Sequence, residues 1–178
     1  MSDKTTGKLS SSVAKIRFRG LYDWEGLFRL IRGWFEAREY DFFENRYKHK
    51  AKPPGSELEI NFTAYREIND YARNVIKMYF HIWDAEEVEV VRDGKKKKMW
   101  DARMLIDFTA YVELDYDDHW ENSPFLRILR NFYHKYILHH EIDDVWTDKL
   151  WYKVNELQQE CKRFLGMQSE SDVYDDMW

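Results

Sequence analysis

WDARMLIDFTAYVELDY, residues 100–116, sets an apolar side chain at every second position: Trp100, Ala102, Met104, Ile106, Phe108, Ala110, Val112, Leu114 and Tyr116. Asp101, Arg103, Asp107, Thr109, Glu113 and Asp115 fall between them. A helical stripe would return every third or fourth residue, so this alternation predicts a β-strand with one buried face. At about 3.3 Å per residue it would run for roughly 55 Å, several times the usual strand. A strand of that length must twist and curl, which predicts a sheet that wraps around a core.

Upstream, Ile76, Met78, Phe80 and Ile82 repeat the alternation, and Asp93-Gly94 offers the turn that joins the two runs. A two-residue loop there would set odd positions against even ones, and the apolar residues of the first run would face Asp101, Arg103 and Asp107. A slip of one residue moves every side chain to the other face. A three-residue loop, Arg92-Asp93-Gly94 with Gly94 left-handed, instead pairs Ile82 with Met104, Phe80 with Ile106, Met78 with Phe108 and Ile76 with Ala110, and is the predicted form. It also sets Glu89 against Lys97, a cross-strand charge pair of about 0.2–1 kcal/mol. Between residues 65 and 79 two patterns compete. Tyr65, Ile68, Ala72, Val75 and Tyr79 have helical spacing, but a strand from about Asn74 after a turn near Asn69-Asp70 leads better into the hairpin.

Further out, Ile16 and Phe18 alternate within Lys15–Arg19 and predict a short first strand ending at Gly20. Asp23 is a candidate N-cap for a helix whose apolar face is Trp24, Leu27, Phe28, Ile31, Trp34 and Phe35, with Glu25/Arg29 and Arg32/Glu36 on the wet side. Tyr40 to Lys50 reads as a strand closed by Pro53-Pro54-Gly55, and Leu58 to Ala64 as the next. Ser123-Pro124 opens a helix through Phe125, Leu129, Phe132, Tyr133, Tyr136 and Ile137. A last helix runs from Ile142 through Trp146, Leu150, Val154, Leu157, Cys161 and Phe164 to Gly166.

These elements predict an α+β fold: a curled antiparallel β-meander with its long strand at about residues 98–116, one face covered by an N-terminal helix and two C-terminal helices. In the order of its elements the chain resembles the helix-grip arrangement of plant-allergen and lipid-transfer proteins, with one helix rather than two after the first strand and fewer strands. That resemblance implies a cavity for an apolar ligand and carries over no individual residue. Residues 13–167 are read as one domain between a polar tail without period, 1–12, expected to be disordered, and an acidic flexible tail, 168–178.

Composition narrows the function. Of 178 residues 17% are aromatic, and so much ring area calls for burial or a partner. A net charge of −5 disfavours a dedicated duplex-DNA binder. One cysteine, Cys161, excludes an intrachain disulfide and any multi-cysteine metal site, and fits a reducing, cytoplasmic setting. No window reaches the run of about 18 apolar residues that a membrane helix needs. None of GxGxxG, GxxxxGKS, GxSxG and HExxH occurs, so an enzyme is the third reading, with no cofactor expected.

Three candidate surfaces remain. Tyr79, Trp83, Arg103 and Tyr111 are predicted on the outer sheet face, a ring-bearing, mixed-charge surface suited to a second copy or another protein. Tracing the meander brings Lys48, Lys50 and Lys52, with His49, to the same end of the sheet as Lys95, Lys96, Lys97 and Lys98. Such a basic rim could hold an anionic ligand or partner, including a peripheral anionic membrane, while its lack of arginines and rings disfavours nucleic acid. Asp70, Glu113, Asp115, Asp117 and Asp118 collect at the opposite end. An apolar cavity for a small molecule or lipid would be lined by Trp34, Phe35, Phe108, Phe132 and Tyr136. No metal is expected: His139/Asp143 and His140/Asp144 are spaced i, i+4, but adjacent histidines diverge by about 100° on a helix. His81 and Asp84 would need a cleft for acid–base work, and His81 is expected outside the core beside Leu105. The expected function is a non-catalytic interaction protein that assembles through the outer face and charged edges, and the alternative is an apolar-ligand carrier.

Overall fold

The computed structural model describes residues 5–8, 13–52, 55–92, 95–116 and 146–167. Strands β1 (Thr5–Lys8) and β2 (Ala14–Tyr22) precede helix α1 (Trp24–Glu36). Strands β3 (Asp41–Lys52), β4 (Gly55–Glu67), β5 (Ala72–Arg92) and β6 (Lys95–Leu114) follow, and helix α2 (Thr147–Phe164) comes last. The helix expected over 124–137, the histidine and aspartate pairs near residue 140, Asp117, Asp118 and the tail 168–178 lie outside the described residues.

The sheet is antiparallel in the order β1-β6-β5-β4-β3, and β2 also pairs with β6. Strands β1 and β2 occupy successive stretches of one edge of β6, facing Glu113–Tyr111 and Phe108–Trp100, so the sheet is five strands wide. Thr5–Lys8 lies within the stretch read as a polar tail; strand addition at an edge uses main-chain hydrogen bonds and needs no apolar alternation. Residues 65–67 and 72–79 are strand, and the turn between them is held by Asn69, whose Oδ1 accepts from the N–H groups of Tyr71 (3.0 Å) and Ala72 (2.8 Å).

Even-numbered residues of β6 from Ala102 on and of β5 up to Ile82 point inward, as the alternation requires. Ile76, Met78, Phe80, Ile82, Met104, Ile106, Phe108 and Ala110 are buried, with the core pairs Ile82–Met104, Phe80–Ile106 and Met78–Phe108 as expected. The loop that was to set this register is corrected. Arg92 faces Lys95, so two residues join the strands, and the register instead changes six to nine positions earlier, between Trp83/Arg103 and Glu86/Asp101. Two residues of β5, Asp84 and Ala85, stand against Ala102 alone, and Asp84 takes φ 54°. This β-bulge reconciles a two-residue turn with an apolar register that otherwise demands three. Beyond the bulge Glu89 faces Lys98 rather than Lys97.

Both described helices pack on the inner face. Asp23 caps α1 by accepting the Gly26 N–H at 3.0 Å, and Leu27, Ile31, Trp34 and Phe35 are buried. Leu150, Val154, Leu157 and Cys161 of α2 join the same core. Each fully buried Leu, Ile, Val or Phe contributes about 1.5–3 kcal/mol relative to exposure, so this continuous core holds the helices to the sheet. Gln158 Nε2 donates to the Lys15 carbonyl at 3.1 Å, and Arg38 pairs with Glu156 at 2.5 Å, fixing α2 against β2 and the end of α1. No helix among the described residues is long and apolar enough to cross a membrane.

Candidate functional site

The outer face carries the odd-numbered side chains of β4, of β6 from Asp101 on and of β5 up to Trp83. Tyr65, Tyr79, His81, Trp83 and Tyr111 are half-buried there, and Phe43 is exposed. Cations lie over these rings: Arg73 Cζ is 4.5 Å from the Tyr65 centroid, Lys77 Nζ 5.1 Å from Tyr111, and Arg103 Cζ 6.0 Å from Trp83. Carboxylates interleave with them, as in Arg73–Glu113 at 2.6 Å and Lys15–Asp107 at 3.3 Å.

At the centre of this face is a hydrogen-bonded chain. His81 Nε2 lies 2.8 Å from Glu57 Oε1, and its Nδ1 lies 3.3 Å from the Tyr79 hydroxyl. With Nε2–H donating to Glu57, Nδ1 accepts from Tyr79, the tautomer that satisfies all three groups. Burial, followed by the charges of Glu59 and Glu57, raises the Tyr79 phenol against the opposing effect of Arg46, so Tyr79 stays a neutral donor. The imidazole also stacks on the Trp83 indole, with 3.8 Å between centroids. Glu57, Glu59 and His81 offer ligand atoms within 4.8 Å of one another and are the residues that could hold a cation. Their side chains are already engaged, since Lys50 approaches Glu57 at 3.9 Å and Lys48 approaches Glu59 at 3.8 Å. The sequence reading considered His81 with Asp84, but Asp84 turns to Arg103 at the bulge, 2.8 Å from Nε and 2.6 Å from Nη2. His81 does pair with Leu105, outside the core, as expected.

Two clefts open on the same face. One, of about 510 Å³, has Asn61, Thr63, Lys77 and Asp107 in its lining beside Phe62, Met78 and Tyr79. The other, of about 440 Å³, lies between β2 and β6 and is lined by Arg17, Arg19, Trp83, Arg103 and Leu105 together with Phe18 and Met104.

Tyr79, Trp83, Arg103 and Tyr111 share the outer face, with Trp83 directly opposite Arg103 and Tyr79 opposite Asp107. The lysine clusters do not meet. Ala51 is level with Ser56 and hence with Ala85, whereas Lys98 to Lys95 face Glu89 to Arg92, four to seven positions farther along β5. That offset is about 13–23 Å. Each lysine of the rim with a described side chain has a carboxylate neighbour: Lys48 and Lys50 as above, Lys96 with Glu89 (3.5 Å), Lys97 with Asp23 (2.6 Å) and Lys98 with Glu87 (2.5 Å). For Lys52 and Lys95 only the backbone is described. Of the expected cavity residues, Trp34, Phe35 and Phe108 are buried and line neither outer cleft, and Phe132 and Tyr136 lie outside the described residues.

Sequence reasoning overlooked Glu57, Glu59, Arg17 and Arg19 as site residues. Their alternation with Leu58, Ile60, Ile16 and Phe18 already placed them on the wet face. What was missing was which strand lies beside which, and that pairing brings Glu57 and Glu59 to His81 and the β2 arginines to Arg103. No protein-family model matches this sequence, and no curated protein is significantly similar to it.

Proposed function

We propose that this protein is a non-catalytic interaction protein that assembles with a second copy of itself through the outer sheet face. The observation that carries the reading is the row of half-buried rings, Tyr65, Tyr79, Trp83 and Tyr111, on the face opposite the one that α1 and α2 cover. Tyr, Trp and Arg are the side chains enriched where interfaces hold most of their energy. Size supports it as well. Five strands about 4.8 Å apart and an overlap of about twelve residues give a face on the order of 900 Å², close to the roughly 800 Å² that each partner buries in a stable complex. Charge favours self-assembly over a strongly charged partner, because both signs interleave across the face and a two-fold axis can set Lys and Arg of one copy against Glu and Asp of the other. The charged strand ends would fix the register of such a pair.

A helix-grip carrier is the second reading, favoured by two helices lying on one face of the sheet. Native mass spectrometry of the purified protein over a range of concentrations separates the two. The interface reading expects multimers of pure protein mass, and a dissociation constant raised about tenfold or more in Trp83→Ala and Tyr111→Ala, with thermal stability nearly unchanged. A monomer at every concentration, or assembly that survives both substitutions, overturns it. A monomer carrying a discrete extra few hundred daltons establishes the carrier instead.

A further inference from the structure

On a face where most charges are paired, two arginines stand out. Arg17 and Arg19 are exposed on β2 and make no hydrogen bond, ion pair or ring contact with any described residue. Arg19 is directly opposite Arg103 on β6, and like charges at opposed positions of neighbouring strands repel each other. Asp84 is committed to Arg103 through two guanidinium nitrogens, which leaves the β2 cations uncompensated. The cleft among these three guanidiniums has about 440 Å³ and an apolar interior, with Leu105 and the Trp83 indole in its lining. That volume falls in the range of small-molecule sites, which are mostly apolar with a few placed polar groups.

We infer that this cleft binds a ring-bearing organic anion of mononucleotide size. The guanidiniums of Arg17 and Arg19 take its phosphate or carboxylate, for which their planar forks of donors are suited, and Trp83 packs on its ring. Trp83 is held in place for this from behind, by the His81 ring that Glu57 and Tyr79 orient. The bound anion relieves the Arg19–Arg103 repulsion. The basic hairpin end offers no such combination, since its described lysines are paired with carboxylates.

The test is calorimetric titration of the full chain with adenosine monophosphate, indole acetate, adenosine and inorganic phosphate. A saturable heat is expected with at least one of the two ring-bearing anions, and which one binds tells phosphate from carboxylate as the anionic group. Adenosine and inorganic phosphate, each lacking half of the required chemistry, should bind about tenfold more weakly or worse. The double variant Arg17→Gln/Arg19→Gln should lose the binding, and Trp83→Phe should retain it better than Trp83→Ala. Binding of inorganic phosphate as tight as that of the ring-bearing anions, binding unchanged in the double arginine variant, or no saturable heat from either ring-bearing anion overturns the inference. Tyr111→Ala separates this outcome from the assembly reading, because it should weaken association without lowering anion binding.

Discussion

Replacing Gly55 with alanine tests the bulge that aims the outer face. A Cβ built on Gly55 would lie 2.5 Å from the Asp84 carbonyl carbon, 2.8 Å from its Cα and 2.9 Å from its oxygen. All three contacts are with backbone, so no side-chain rotation can relieve them. Asp84 already sits at φ 54°, where an L-residue costs about 1–2 kcal/mol, and the neighbouring ladders have little freedom to give way. Overpacking of this kind destabilises by about 1–3 kcal/mol. For a chain of this length each kcal/mol shifts Tm by about 2–4 °C, so Gly55→Ala should melt about 2–12 °C below the parent in calorimetry. Hydrogen exchange should quicken at Ser56–Leu58 and Ile82–Ala85, which pair on either side of the bulge. Gly33→Ala serves as the control: an added Cβ meets nothing within 4 Å in the helix, and the change should stabilise by about 0.5–1 kcal/mol. A Gly55→Ala protein that melts at or above the parent temperature refutes the claim that Asp84 backbone and Gly55 are in obligatory close approach.

Asp23 and Cys161 give two further tests. Partial burial raises the Asp23 carboxyl, but hydrogen bonds from Lys97 and the Gly26 N–H, with the charges of Lys97 and Arg29, outweigh it and hold the group below its ordinary 3.8. Its ionised form therefore adds stability that is complete above about pH 4 and is lost as the pH falls through the lower, folded value. Asp23→Ala should cost about 0.5–2 kcal/mol near neutrality from the lost cap, and its deficit in denaturant melts should shrink in acid; a deficit independent of pH would contradict the assignment. Burial, with a smaller contribution from the Glu160 charge, pushes the Cys161 thiol up to about 12, so a thiol reagent should label it at the rate of unfolding. Rapid labelling of the native protein would show that α2 does not seal this side of the core.

What the sequence disclosed was the part of the fold written in short periods. The alternation of residues 100–116 and 76–82 implied the inner faces and their pairing, and Asp23 followed by Trp24, Leu27 and Ile31 implied a capped amphipathic helix. The bulge was harder to see, because a change of register can be absorbed anywhere along a hairpin and Asp84 is a residue type that tolerates a left-handed backbone. Long-range neighbours left no trace. Nothing in Lys15–Arg19 says that β2 lies along β6, so Arg17 and Arg19 could not be brought to Arg103 or Trp83. Glu57 and Glu59 likewise gained meaning only beside His81.

The same long-range pairing has a consequence for synthesis. Tyr22 and Ala14 of β2 meet Trp100 and Phe108, 78 and 94 positions later, whereas β3–β4, β4–β5 and β5–β6 are joined by short turns. A chain elongating at about 5–20 residues per second makes the first strand wait some 4–19 s for its neighbour. During that interval α1 can already pack on β3, β4 and β5 through Phe28, Phe35 and Trp24, but the Ile16 and Phe18 side chains of β2 have no strand beside them, so this stretch of nascent chain is the natural target for chaperone capture, and the arrival of β6 is the event that ends its exposure.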